Sequence, residues 1–154
     1  MAGSAFHLFL YGAPASGKTT LGAKLAERLR LRFVDLDAAI VARAGKSIPE
    51  IFAAGGETAF RALESATLAD ETASAPARTV FALGGGTLLS DANRALCEAA
   101  GAVLCLDAPS PEERARRIGS AAGSRPLGDK AVERAAHYAS FPRRVAALVA
   151  TGAH

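Results

Sequence analysis

From Phe6 to Tyr11 the chain is apolar but for His7, and after it Leu21, Leu25 and Leu29 recur at helical spacing between Thr19 and Leu31. A buried strand followed by an amphipathic helix is predicted. A second short strand is predicted over Arg32 to Leu36, ending at the triplet Asp35-Leu36-Asp37. The next helix carries Ile40, Val41 and Ala44 and stops at Gly45. Ser47-Ile48-Pro49-Glu50 has capping-box spacing with proline in the first turn, where its missing N–H costs nothing. A short helix through Ile51 and Phe52 follows, and Gly55-Gly56 is expected to break it. Beyond the glycines, Phe60, Leu63, Thr67 and Leu68 share one face of a longer helix from Glu57 to about Glu71.

The second half continues the alternation. Thr79 to Leu83 predicts a third strand that runs into Gly84-Gly85-Gly86; Ser90 can cap a helix through Ala100; Ala102 to Leu106 predicts a fourth strand; and Ser110-Pro111-Glu112-Glu113 marks another helix start. Near-continuous apolar strands alternating with helices predict an α/β fold, a parallel sheet covered by helices on both faces. In that architecture ligands bind beyond the carboxyl ends of the strands, where Asp35 to Asp37 and Gly84 to Gly86 fall.

Composition narrows the class. At 154 residues, 50% hydrophobic and 21% charged, with neither repeat nor linker, the chain reads as one domain whose core needs no disulfide or structural metal. Cys97 and Cys105 lack CxxC spacing and read as small buried hydrophobes in a reduced, cytoplasmic compartment. Nothing approaches the roughly 18 apolar residues of a membrane span, and the first apolar run lacks the basic flank of a secretion signal. The net charge of +3 comes from scattered basic residues, too weak a signal for nucleic acid, so no nucleic-acid partner is expected, while an anionic small molecule is compatible with it.

Gly12-Ala13-Pro14-Ala15-Ser16-Gly17-Lys18-Thr19 matches GxxxxGK[ST] and sits between a predicted strand and a predicted helix, with Thr20 next in the helix. Backbone N–H groups of such a loop turn inward around phosphates and the helix N-terminus adds positive potential. Lys18 reaches the β- and γ-phosphates, and the Thr19 hydroxyl ligates Mg²⁺. The chain has no NKxD guanine-reading tetrapeptide and no apolar run ending in Asp after the third strand, so a compact small-molecule kinase leads over GTPases and motor ATPases.

The acceptor side is read from three places. Alternation at the end of the second strand turns one of Asp35 and Asp37 toward the phosphate loop, to hold the metal's water shell. The other turns to the neighbouring cavity, to take a proton from a substrate hydroxyl; the plainer alternative for Asp37 is a helix cap. Arg61, with Glu64 three residues on, can offer a fork to a carboxylate or form an ordinary surface ion pair. Three consecutive glycines cost backbone entropy and suggest a ligand against the main chain. His7 and His137 read as structural and Tyr11 as packing, since no serine or cysteine nucleophile accompanies them.

These segments, with Gly56-Glu57, Phe60-Arg61 and Arg125-Pro126-Leu127, closely resemble the shikimate kinases in order and spacing, from about residue 7 to 138. The resemblance implies a three-layer α/β/α sandwich with a five-stranded parallel sheet, a P-loop and a short lid. It implies a single kinase domain over residues 1–154, with core 6–110 and 131–150 and lid about 117–130. The implied reaction moves the γ-phosphate of ATP to the 3-hydroxyl of shikimate, with Mg²⁺, in a cytoplasmic monomer. Asp37 would bind the shikimate hydroxyls and act as base, and Asp35 would support Mg²⁺ through water. Arg61 and Arg134, the latter in Arg134-Ala135-Ala136-His137-Tyr138, would hold the carboxylate; Gly84, Gly85, Gly86, Phe52 and Phe60 would line the pocket. Arg125 would close onto the phosphates, and Arg116 or Arg117 would lie near adenine. The alternatives are a ligand-sensing module of the same fold without turnover, and a kinase for another carboxylated polyol such as gluconate.

Overall fold

The computed structural model describes residues 6–13, 17–107, 134–142 and 144–145. Its five-stranded sheet is built from β1 (His7–Gly12), β2 (Arg32–Asp35), β3 (Thr79–Ala82), β4 (Gly101–Leu106) and the two-residue β5 (Arg144–Val145), in the order β2-β3-β1-β4-β5. All pairings are parallel, with Phe9 opposite Phe81 on one side and Val103 on the other. The chain passes from β1 outward to β2, back to β3, and then across to β4 on the far side of β1. The direction of winding therefore reverses around β1, and the crevice for a ligand opens at the carboxyl ends of these strands.

Among the described residues the helices are α1 (Lys18–Leu29), α2 (Leu36–Ala44), α3 (Ile48–Ser74), α4 (Asp91–Ala100) and α5 (Ala135–Ala139). Side chains alternate across β1, so one strand serves two cores. Phe9 and Tyr11 point into a cluster with Ile40, Ile51, Phe60, Leu68, Phe81, Cys97 and Phe141, whereas Leu10 packs with Ala26, Val80 and Leu106 beneath α1. Each fully buried Phe or Leu contributes about 1.5–3 kcal/mol, so the two faces together hold the three layers.

Local signals formed as their chemistry requires. Ser47 Oγ accepts from the Glu50 N–H while Glu50 Oε2 accepts from the Ser47 N–H, closing the capping box of α3. Gly45 ends α2 with φ 68°. The expected break at Gly55-Gly56 is a kink within α3, where Gly56 adopts φ 72° and ψ −169°, a conformation essentially restricted to glycine. Ser90 caps α4 by accepting from the Asn93 N–H.

Three readings are corrected. The second strand ends at Asp35 rather than Leu36, so Asp37 lies in the first turn of α2 and not on a strand. The cap of α2 is consequently Asp35, whose Oδ1 accepts from the N–H groups of Asp37 and Ala38, and not Asp37. The tri-glycine segment leads first into a short 3-10 helix, Thr87–Leu89, before α4. The helix start at Ser110, the lid at 117–130, and Pro14, Ala15, Ser16, Arg116, Arg117 and Arg125 lie outside the described residues.

Candidate active site

The mouth of β1 carries the phosphate loop. Gly12 has φ 141° and Gly17 φ 94°, turning the chain around the loop and into α1. Gly17 is the N-cap of α1 and has no side chain to satisfy the first-turn N–H groups, so those donors and the positive helix end are available to an anion. Lys18 is buried, and its Nζ donates to the carbonyls of Gly12 at 2.7 Å and Ala13 at 3.0 Å, which holds the ammonium within the loop. Thr20 follows on the exposed side of α1.

Beside the loop, the Thr19 hydroxyl donates to Asp35 Oδ2 at 3.5 Å. The capping bonds to Asp35 Oδ1 orient this carboxylate, leaving its second oxygen toward Thr19. A hydroxyl and a carboxylate are hard oxygen donors. Among the described residues no group of three or more His, Cys, Asp or Glu side chains can hold a metal ion. That combination fits Mg²⁺, which characteristically takes one or two protein oxygens and completes its shell with phosphate and water.

The acceptor side is assembled around the glycines after β3. A Cβ at Gly84 would lie 3.1 Å from Thr87 Oγ1, 3.2 Å from Glu64 Oε2 and 3.5 Å from Asp37 Oδ1. A Cβ at Gly86 would lie 2.5 Å from Arg61 Nη2 and 2.9 Å from Arg134 Nη1. Two carboxylates and two guanidinium groups, carried by α2, α3 and the start of α5, therefore converge on one short stretch of main chain. A side chain at either glycine would press on these groups and displace their tips.

Glu64 anchors this arrangement from below. It is 1% exposed, and its two oxygens are taken separately: Oε1 accepts from Arg61 Nη1 at 2.7 Å and Oε2 from the Thr87 hydroxyl at 2.9 Å. Asn93 extends the chain, donating to the Thr87 carbonyl and to Ser65 Oγ, both at 3.0 Å. Burial pushes the Glu64 carboxyl above its usual range, with nearby Asp37 adding to the rise, while Arg61 and the Thr87 hydroxyl pull it back. The Arg61–Glu64 pair is thus half-buried, with Glu64 enclosed and Arg61 partly exposed, rather than the surface ion pair its spacing also allows. Glu57 faces Arg61 Nε at 3.5 Å, so Nη2 is the part of the fork turned to Gly86.

The aromatic wall is in place too. Phe52 and Phe60 lie with ring centroids 4.8 Å apart, and the Arg61 guanidinium sits 5.2 Å from the Phe60 centroid. Sequence reasoning missed a second layer beneath the glycines. The carbonyl of Gly85 accepts from the hydroxyls of Tyr138 at 2.6 Å and Tyr11 at 3.2 Å, and Tyr11 Oη also meets His137 Nε2 at 2.9 Å. The one available signal was that Tyr138 follows Arg134 by a helical turn.

The family model described as shikimate kinase matches residues 14–148. A shikimate kinase of Salinibacter ruber is 51% identical over 102 residues, 66% of this chain and 49% of that protein. One of Salinispora arenicola is 47% identical over 118 residues, 77% of this chain and 68% of that protein. The solved shikimate kinase of Acinetobacter baumannii in complex with shikimate superposes with a TM-score of 0.82 at 30% identity, covering 92% of this chain and 84% of that one. Against the first of these relatives the chain spans about half the length. With the phosphate loop, the parallel sheet and a family match over most of its residues, the chain belongs to the shikimate kinase family.

Proposed function

We propose that this protein transfers the γ-phosphate of ATP to the 3-hydroxyl of shikimate, acting as a single kinase domain. The observation that carries the reading is the convergence of Arg61 and Arg134 on Gly86, beside Asp37 and Glu64 at Gly84, at the strand ends that also hold the phosphate loop. Two guanidinium forks suit a planar carboxylate, and a carboxylate beside glycine N–H groups suits a ring diol.

In this reading the Gly17 end of α1 and Lys18 hold the triphosphate, while Arg61 and Arg134 clamp the acceptor carboxylate and so orient the ring. Asp37 accepts hydrogen bonds from the acceptor hydroxyls and takes the proton of the attacking one, and Phe52 and Phe60 pack along the ring. Thr19 and Asp35 are the side chains that would hold Mg²⁺, which supplies charge neutralisation at the phosphates. Rate enhancement then comes from positioning and electrostatics, as is general for phosphoryl transfer. Arg125 closing onto the phosphates, Arg117 near adenine, and a lid at 117–130 belong to the same proposal. A monomer is part of the same proposal. A cytoplasmic location is part of the reading; no helix among the described residues is long and apolar enough to cross a membrane.

The test is ADP release in a coupled assay with shikimate, gluconate or no acceptor. Release that depends on shikimate is expected. Equal rates in all three arms would replace the reading by a sensing module, and release with gluconate alone would move it to another carboxylated polyol.

A further inference from the structure

Tyr11 is the last residue but one of β1, fully buried, and none of the roles above uses it. Its hydroxyl is nonetheless placed with care. It lies 3.2 Å from the Gly85 carbonyl and 2.9 Å from His137 Nε2, while the Tyr138 hydroxyl reaches the same carbonyl at 2.6 Å. A carbonyl oxygen has two lone pairs, and two phenols fill them. Each phenol has one proton to give and room to accept. Tyr138 gives its proton to Gly85 and accepts from the Arg134 side chain. Tyr11 Oη also takes the Leu88 backbone N–H, and if it gives its proton to Gly85 as Tyr138 does, it accepts from an Nε2–H of His137. Burial raises both phenols above their usual range, so both remain protonated donors.

We propose that Tyr11, oriented by His137, is a positioning residue for the acceptor: together with Tyr138 it fixes the Gly85 carbonyl, and so sets the peptide that faces the two guanidinium groups. Gly85 C=O and Gly86 N–H belong to one trans peptide plane and point in opposite directions. Holding the carbonyl down onto the phenols turns the Gly86 N–H away from them. Gly86 is also where Arg61 and Arg134 converge. His137 is kept against Tyr11 by its own surroundings, edge-on to Tyr11 at 5.7 Å and to Phe141 at 5.3 Å, while Arg94 stacks 4.0 Å over Phe141 and bonds Ser140. The inference rests on the acceptor reading given above, but its first test does not.

That first test is the tautomer of His137, read from imidazole ¹⁵N shifts of the intact chain near neutral pH. An Nε2–H tautomer that changes in Tyr11→Phe, with a shift of the Gly86 amide resonance, is expected. An Nδ1–H tautomer in the unaltered chain, or a Gly86 amide unmoved by the substitution, overturns the proposal whatever the turnover.

The second test is kinetic. Losing one neutral hydrogen bond predicts that Tyr11→Phe raises KM for shikimate about three- to tenfold, with kcat and the KM for ATP within about twofold. His137→Gln should do the same alone and add little in the Tyr11→Phe background, because it acts through Tyr11. Equal changes in both KM values, or additive effects of the two substitutions, would assign the pair to general packing instead. If the unaltered chain releases no shikimate-dependent ADP, the acceptor reading fails, and the tautomer result still decides whether Tyr11 sets this peptide.

Discussion

Arg61 and Arg134, on different helical segments, meet at a single glycine: their Nη2 and Nη1 atoms lie 2.5 and 2.9 Å from the point where a side chain at Gly86 would begin. The absence of a Cβ there is what lets both forks approach the same point of the main chain. A methyl group would push against side-chain tips rather than backbone, and the tips can yield. Gly86→Ala is therefore expected to leave the melting temperature within a few degrees while KM for shikimate rises about tenfold or more, since two forks lose their shared geometry. Steady-state kinetics beside a thermal melt checks both halves, and an unchanged KM would separate the arginines from the acceptor.

Asp35 and Asp37 are two residues apart and have different surroundings. Asp35 caps α2 with one oxygen and faces Thr19 with the other, whereas Asp37 is near the Gly84 main chain. Asp37→Asn is expected to cut turnover at least about a hundredfold, as loss of a general base does, with nucleotide affinity retained. Asp35→Ala should instead cost stability, about 1 kcal/mol for a lost cap, and raise the magnesium concentration needed for half-maximal rate. Turnover, nucleotide binding and a magnesium titration on both variants distinguish them; equal profiles would mean that the two carboxylates share one role.

The difference between these aspartates shows where sequence reasoning stops. Ser47, Gly45 and Ser90 were legible because a cap needs partners only two to four residues away. The phosphate loop and the four longer strands were legible for the same local reason. Asp35 and Asp37 were read as a candidate site, but their roles turned on where β2 ends, and a one-residue shift started the helix at Leu36 and gave the cap to Asp35. β5 spans two residues, too few for periodicity to register. Arg61 and Glu64 have the spacing of any exposed i,i+3 pair, and only the packing of α3 against the glycine segment buries its Glu64 half. The bonds from Tyr11 and Tyr138 to Gly85 join residues 74 and 53 positions apart, a relation that no local pattern carries.

Glu64 gives the site a pH signature. Its carboxyl is held above the usual 4.5 chiefly by burial. Between 4.5 and that raised value the folded chain binds the proton more tightly than the unfolded chain, so this residue's contribution to stability falls as pH rises through the interval. Glu64→Gln removes the ionisation and keeps much of the shape. Chemical denaturation across pH 4 to 7 should show the wild-type curve falling relative to the variant as pH increases. Acceptor KM should be worse in the variant, where Arg61 has lost its carboxyl partner. Parallel stability curves would mean that Glu64 ionises as freely in the folded chain as in the unfolded one.

His7 supplies the opposite slope from the other end of the sheet. It is 1% exposed, edge-on to Phe9 and to Phe81, and its Nδ1 has no hydrogen-bond partner among the described residues. Burial holds the imidazole below its usual 6.5. Below 6.5 the unfolded chain takes up a proton that the folded chain resists, so stability is fully present above that pH and is lost as pH falls toward the depressed folded value. His7→Leu has similar volume, no ionisation and no buried orphan atom. It should match or exceed the wild type in stability at pH 8, with the gap widening as pH is lowered to 5.5. Denaturant midpoints at both pH values measure this directly, and a constant gap would show that His7 is protonated within the folded protein at no extra cost.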